Sequence, residues 1–362
     1  MQPPADKDAL IVRFSFYATL LTTLIALPLS ASADVLIGSW NIKHLGWNND
    51  KAYNAVTHVA NHFDLLAIQE LMDPTALHRL ERELEALSGE EWSAMASDDL
   101  GRSTYREHYG FLWRESEVEY IGGAVVFLDH RDVFAREPYS ARFQDRDAGT
   151  EFAAATVHVV YGDSINDRLP EIDALADYWQ WLEEAYPDTP RLLMGDYNLP
   201  PQHGGWTPMR DLGASPAITQ GATTLSSTNG QYANLYDNLW SVVGRLPITG
   251  QGILRFPELL GMGHEKARDL VSDHAPVYVA LNGAELDRQA ASYATDKALS
   301  SRCIDLNNAS AEQLDSLPNI GSARADDIIE GRPWHSIESL TRISGLGPSR
   351  VGDIRDSGLV CS

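Results

Sequence analysis

Apolar and polar positions along the chain fall into blocks whose period changes. Three short apolar runs end in polar residues: Asp34-Val-Leu-Ile-Gly-Ser-Trp-Asn, Asp64-Leu-Leu-Ala-Ile-Gln-Glu and Arg191-Leu-Leu-Met-Gly-Asp. Runs of that length predict buried strands. Between the first two, Ala52, Ala55, Val56, Val59, Ala60 and Phe63 recur at helical spacing; Ile172, Leu175, Ala176, Trp179 and Leu182 do so before the third. Strands interleaved with helices predict a layered α/β domain over residues 34–283. Residues 284–301 are polar and alanine-rich and predict a linker, with room for a short helix. From 302 to 362 the pattern is helical, broken at Pro318-Asn-Ile-Gly321 and Ser344-Gly-Leu-Gly347. A small all-α domain is expected there.

The front of the chain follows a different rule. Residues 1–13 carry Lys7 and Arg13, an apolar run extends from Phe14 to Leu29, and Ala31-Ser32-Ala33 supplies small residues. This predicts a signal peptide over 1–33, cleaved after Ala33, and a secreted or periplasmic protein. Pro28 interrupts the run, which is shorter than the roughly 20 residues of a membrane span, so no stable membrane association is expected after cleavage. Export also permits a disulfide between the only two cysteines, Cys303 and Cys361. Such a bridge would close a loop of nearly sixty residues, worth about 3–4 kcal/mol.

Charge narrows the function. With 28 Lys and Arg against 51 Asp and Glu, the net charge is −23, which excludes a protein that holds nucleic acid by a broad basic surface. An enzyme that meets DNA through a local patch and bound cations remains open.

Candidate chemistry gathers where the apolar runs end, as it does in α/β folds. Asn41, Glu70, His158, Asp196, Asn198, Asp237, Asp273 and His274 all stand at such ends. Each alone also suits a cap or a turn. Together they offer hard oxygen ligands for Mg²⁺ or Ca²⁺, two imidazoles, and carboxylates to orient them. No cysteine cluster points to zinc.

The order Trp-Asn-Ile, Ile-Gln-Glu, Thr-Val-His, Gly-Asp-Tyr-Asn, Tyr-Asp and Ser-Asp-His-Ala-Pro resembles the endonuclease/exonuclease/phosphatase superfamily across residues 34–281. Leu100-Gly-Arg-Ser-Thr-Tyr-Arg-Glu-His-Tyr-Gly-Phe-Leu-Trp-Arg114 is similar to the deoxyribonuclease I branch in particular. The resemblance implies a four-layer αββα sandwich and hydrolysis of DNA phosphodiester bonds with little sequence preference. It implies that Glu107 orients His158 and Asp237 orients His274. One pair would activate water and the other protonate the leaving 3′ oxygen; which does which stays open. It further implies a divalent ion, Mg²⁺ with Mn²⁺ as an alternative, held by Glu70 with Asp273 and Asn41. Asp196 and Asn198 would position the phosphate, and Arg102 and Tyr105 would lie along the DNA. Bound Ca²⁺ would add stability. Two departures stand out: Met72 and Asn238 occupy positions where deoxyribonuclease I carries arginine.

The terminal segment resembles the tandem helix-hairpin-helix module of bacterial competence DNA receptors, through Leu317-Pro-Asn-Ile-Gly321, Ile328-Ile-Glu-Gly-Arg332 and Ile343-Ser-Gly-Leu-Gly347. Gly321, Gly345 and Gly347 would let backbone N–H groups approach a phosphate without regard to sequence. Asn319 replaces a usual glycine, Pro348 removes a donor, and six arginines face nine acids. A monomeric enzyme acting on double-stranded DNA is the expectation. The rivals are a superfamily hydrolase of another phosphoester and a non-catalytic DNA-capture protein.

Overall fold

The computed structural model describes residues 35–47, 51–286, 304–357 and 359–360. The leader, residues 287–301 of the expected linker, Cys303 and Cys361 lie outside the described residues. No helix among the described residues is long and apolar enough to cross a membrane.

Two six-stranded mixed sheets form the large domain. The first runs β11 (Ile248–Ile253), β12 (Val277–Leu281), β1 (Leu36–Leu45), β2 (Leu65–Leu71), β4 (His108–Arg114), β3 (Trp92–Ala96). The second runs β5 (Val118–Val126), β6 (Tyr139–Asp145), β7 (Glu151–His158), β8 (Arg191–Asp196), β10 (Asp237–Val242), β9 (Ala214–Pro216). Alternating residues of β1, β2 and β4 (Ile37, Leu65, Ala67, Phe111, Trp113) meet Phe143, Phe152, Ala154, Leu192 and Met194 of the second sheet in one buried cluster. Because side chains alternate across a strand, the opposite faces need cover as well. Helices α1 (Tyr53–Ala60) and α2 (Pro74–Ser88) cover the first sheet, and α3 (Ile165–Ala185) covers the second. The result is the expected αββα sandwich.

Local sequence explains the helix limits. Asp73 caps α2 through Thr75 N (2.8 Å), Pro74 occupies its first position, and Gly89 ends it in a left-handed conformation. Helix α3 begins earlier than the apolar spacing predicts, at the Ser164–Asp167 capping box. Short helices α4 (Thr207–Asp211), α5 (Phe256–Leu259) and α6 (His264–Leu270) complete the large domain.

The terminal module contains α7 (Ala311–Asp315), α8 (Ser322–Glu330), a 3-10 turn (Ile337–Arg342) and α9 (Pro348–Asp356) around Leu314, Leu317, Ile328, Trp334, Leu340 and Ile354. Asn319 stands in for glycine because its backbone takes φ 63°, which asparagine tolerates better than most residues. Pro348 sits at the first position of α9, where its missing N–H has no partner in the helix. Arg79 of α2 reaches Asp315 of α7 at 3.6 Å.

Candidate active site

Strand register assembles the site. On adjacent strands of the second sheet His158 pairs with Asp196, and Asp196 with Asp237, so three polar groups line up at one sheet end. A Cβ at Gly195 would sit 1.9 Å from the Val157 carbonyl oxygen, so only glycine lets β8 lie this close beside β7. The first sheet contributes Asn41, Glu70 and the Asp273–His274 loop. Both β1 and β2 break register here, between Asn41 and Leu45 and between Ile68 and Leu71. Lys43, His44 and Glu70 adopt left-handed angles (φ 42°, 57° and 58°). Bulges of this kind re-aim side chains beside active sites. The Ser272 hydroxyl donates to Asn41 O (2.6 Å) and accepts from His274 N (3.0 Å), tying the Asp273–His274 loop to β1. Lys51 Nζ adds bonds to Lys43 O (2.7 Å) and Val271 O (2.9 Å).

Glu70, Tyr105, His158, Asp196, Asn198, Asp273 and His274 line one cleft of about 620 Å³. Behind them stand the carboxylates. His158 Nδ1 donates to Glu107 Oε1 at 2.8 Å, and His274 Nδ1 to Asp237 Oδ2 at 2.8 Å. That fixes both Nε2 atoms toward the cleft, where they face the same oxygen, Asp196 Oδ2, at 3.5 and 3.6 Å. Burial pulls the His158 imidazolium down, but Glu107 and Asp196 outweigh it, against Arg136, and hold it above the usual histidine value. Burial opposes the His274 imidazolium too; Asp237 and Asp196 overcome this and hold it well above that value. For Glu107, burial is outweighed by His158 and Arg136, and its carboxyl stays below the ordinary range. Asp237 goes up instead, because burial and the nearby Asp196 charge exceed the pull of His274.

The arrangement suits proton transfer at two points of one cleft. It also concentrates carboxylates that favour a cation with oxygen preference. Glu70 accepts from Asn41 Nδ2 (2.9 Å) and from His44 N (3.1 Å), which leaves it fixed at the cleft wall. Asn41 is fully buried; its Nδ2 also reaches Asp196 (3.2 Å) and its Oδ1 accepts from Lys43 N (2.9 Å). It braces Glu70. Asp273 is paired by Arg268 at 3.2 Å and by Lys43 at 3.8 Å. A second donor set, Asp196, Asp237 and His274, brings its ligand atoms within 4.8 Å of one another. Hard oxygen donors dominate both sets, which fits Mg²⁺ or Mn²⁺.

Other residues named from the sequence are dispersed. Arg102 is exposed, pairs with Asp132 at 3.0 Å and does not line the cleft. Asn198 donates its side-chain amide to Val159 O (2.9 Å) and its backbone N–H to Asp196 (2.9 Å), bracing the cleft wall. Asn238 bonds Ile218 O through Nδ2 (2.7 Å) and is buried. In the terminal module Gly345 takes φ 82°, while Gly321 and Gly347 cap α8 and α9. Arg324 and Arg350 each donate to a hairpin carbonyl, Asn319 O (2.8 Å) and Gly345 O (2.9 Å). Those arginines build the hairpins.

Sequence reasoning missed Arg136. Its guanidinium is buried, meets Glu107 Oε1 at 2.9 Å and donates to His158 O at 2.8 Å. It comes from the irregular segment before β6, where no periodicity marks it. Lys43 and Arg268 were missed as well; Arg268 stands near the end of α6, five residues before the Asp273 it pairs with.

Residues 300–357 match the helix-hairpin-helix motif family. Over 361 residues, 97% of this chain and 98% of the relative, the sequence is 50% identical to a deoxyribonuclease of Thioalkalivibrio sp. (strain K90mix). It is 27% identical over 290 residues to deoxyribonuclease-1 of Oryctolagus cuniculus, covering 75% of this chain and all of that protein. Among solved structures, the human Nocturnin catalytic domain is similar with a TM-score of 0.51 at 14% identity, covering 70% of this chain and 95% of that one. An endonuclease/exonuclease/phosphatase from Bacteroides vulgatus matches with a TM-score of 0.51 at 15% identity, covering 70% and 99%.

Proposed function

The chain belongs to the deoxyribonuclease I-like branch of the endonuclease/exonuclease/phosphatase superfamily, and from that premise we propose that it is a divalent-metal-dependent endonuclease that cuts DNA with little sequence preference. One observation carries the reading: two imidazoles, each backed by a buried carboxylate, aim Nε2 at a single point in one cleft. His158 Nε2 takes a proton from water, whose oxygen attacks phosphorus as the bond to the 3′ oxygen breaks. His274 Nε2 delivers a proton to that oxygen, leaving a 5′-phosphate and a 3′-hydroxyl. Asp196 faces both imidazoles, so the assignment follows from the charge behind each pair: the Arg136 guanidinium, 2.9 Å from Glu107, disfavours the His158 imidazolium. A divalent cation would add positive charge against the phosphate. Glu70 and Asp273 would hold it, with Asn41 keeping Glu70 in place.

Tyr105 and the hairpins of the terminal module would lie along double-stranded DNA; N–H groups at Gly321, Gly345 and Gly347 would meet phosphates regardless of sequence. Export rests on residues 1–33, and a monomer suffices for the complete site. The Cys303–Cys361 disulfide is supported by their neighbours: Ile304 and Val360 pair in parallel, with Ile304 N donating to Leu359 O at 2.7 Å. Purified protein incubated with supercoiled plasmid and Mg²⁺ tests the reading. Nicking that chelator abolishes is expected; an intact plasmid at saturating metal would contradict it.

A further inference from the structure

Past the bulge in β1, the rings of His44 and Trp47 stack at 4.3 Å and 29°. Tyr105 meets both edge-on, at 5.9 and 5.7 Å. His44 and Tyr105 line the cleft itself, and Trp47 remains 47% exposed with the terminal module in place. This cluster is held by the site's own carboxylates. His44 Nε2 lies 3.2 Å from Glu70, and the Tyr105 hydroxyl donates to Glu107 at 3.2 Å. A large indole left half exposed gains little for the core, and its neighbours are fixed before substrate arrives.

An aromatic face beside a phosphodiester cleft can take a nucleobase, and stacking of that kind is indifferent to sequence. Within an intact duplex the bases already stack on one another; only an unpaired base offers a free face. We propose that Trp47, with His44 and Tyr105, forms a base-stacking platform that favours DNA carrying an unpaired base next to the scissile phosphate: single-stranded, gapped or mismatched. The inference rests on the nuclease reading above and names the substrate class of that same cleft.

The test compares two oligonucleotide duplexes with the full chain, one fully paired and one with a short central gap. Trp47→Ala should raise KM on the gapped duplex about tenfold, with KM on the paired duplex changed less than about twofold. Trp47→Phe, which keeps an aromatic face, should restore most of the difference. A 2-aminopurine in the gap should be quenched on binding to a His158→Ala protein and stay bright when Trp47 is also alanine. Equal KM changes on both duplexes, or none, with unchanged quenching, would overturn the platform while leaving the nuclease reading intact. Failure of the wild type to cut either duplex would overturn the nuclease reading instead.

Discussion

The two histidine–carboxylate pairs look alike in bond length yet sit in different electrostatic surroundings. Each pair is stitched across the sheets. Glu107 precedes a strand of the first sheet and holds His158 of the second; Asp237 of the second sheet holds His274, which precedes a strand of the first. The difference lies in the third group. Arg136 neutralises Glu107, whereas Asp237 lies beside the charge of Asp196, one oxygen of which both imidazoles face. The same bond therefore leaves one imidazole freer to accept a proton and the other more inclined to keep one. What divides the labour is the charge behind the pair.

The largest expected effect removes either imidazole. His158→Ala or His274→Ala should lower kcat by about 10²–10⁴ with DNA binding retained, and the double variant should lose less than the product of the two. More than a tenth of wild-type activity in either single variant at saturating metal would remove that residue from the chemistry. Glu107→Gln and Asp237→Asn should then separate in thermal melts. The first strands a buried guanidinium, at a cost of about 3–5 kcal/mol. Among the described residues no buried cation other than His274 loses its partner in the second, so a smaller drop in Tm is expected. Equal shifts would mean that Arg136 does not distinguish the pairs.

A subtler change acts through pH. The Arg136 charge disfavours the His158 imidazolium, so Arg136→Gln should raise the His158 pKa further. A base must be unprotonated, so the acid limb of the kcat/KM profile should move to higher pH while the alkaline limb stays. A shift of the alkaline limb alone would reverse the roles. The smallest effect belongs to the terminal module. Deleting residues 304–362 should raise KM on long DNA and leave kcat nearly unchanged, because a remote grip adds uniform binding. Equal KM values would assign the module to stability or partner docking.

Much of this was legible from residue order. Apolar runs ending in Asn41, Glu70 and Asp196 marked both the strands and the site, because a buried strand must place its polar groups where it leaves the core. His158 and His274 were found with their carboxylates through the resemblance. Arg136 was hidden because an irregular segment has no period, and only packing brings it to Glu107. The His44–Trp47–Tyr105 cluster was hidden because a bulge, invisible in the alternation of side chains, decides which way the end of β1 faces. Asn41, read as a ligand, is buried beside Glu70, to which its Nδ2 donates at 2.9 Å.

The division of labour is tested most directly by a substrate in which sulfur replaces the bridging 3′ oxygen. A thiolate leaves without help from an acid, so the acid's role becomes dispensable and the base's does not. On this substrate His274→Ala should recover most of its lost rate relative to wild type, while His158→Ala should remain as impaired as on ordinary DNA. Recovery of His158→Ala instead, or of neither variant, would contradict the assignment.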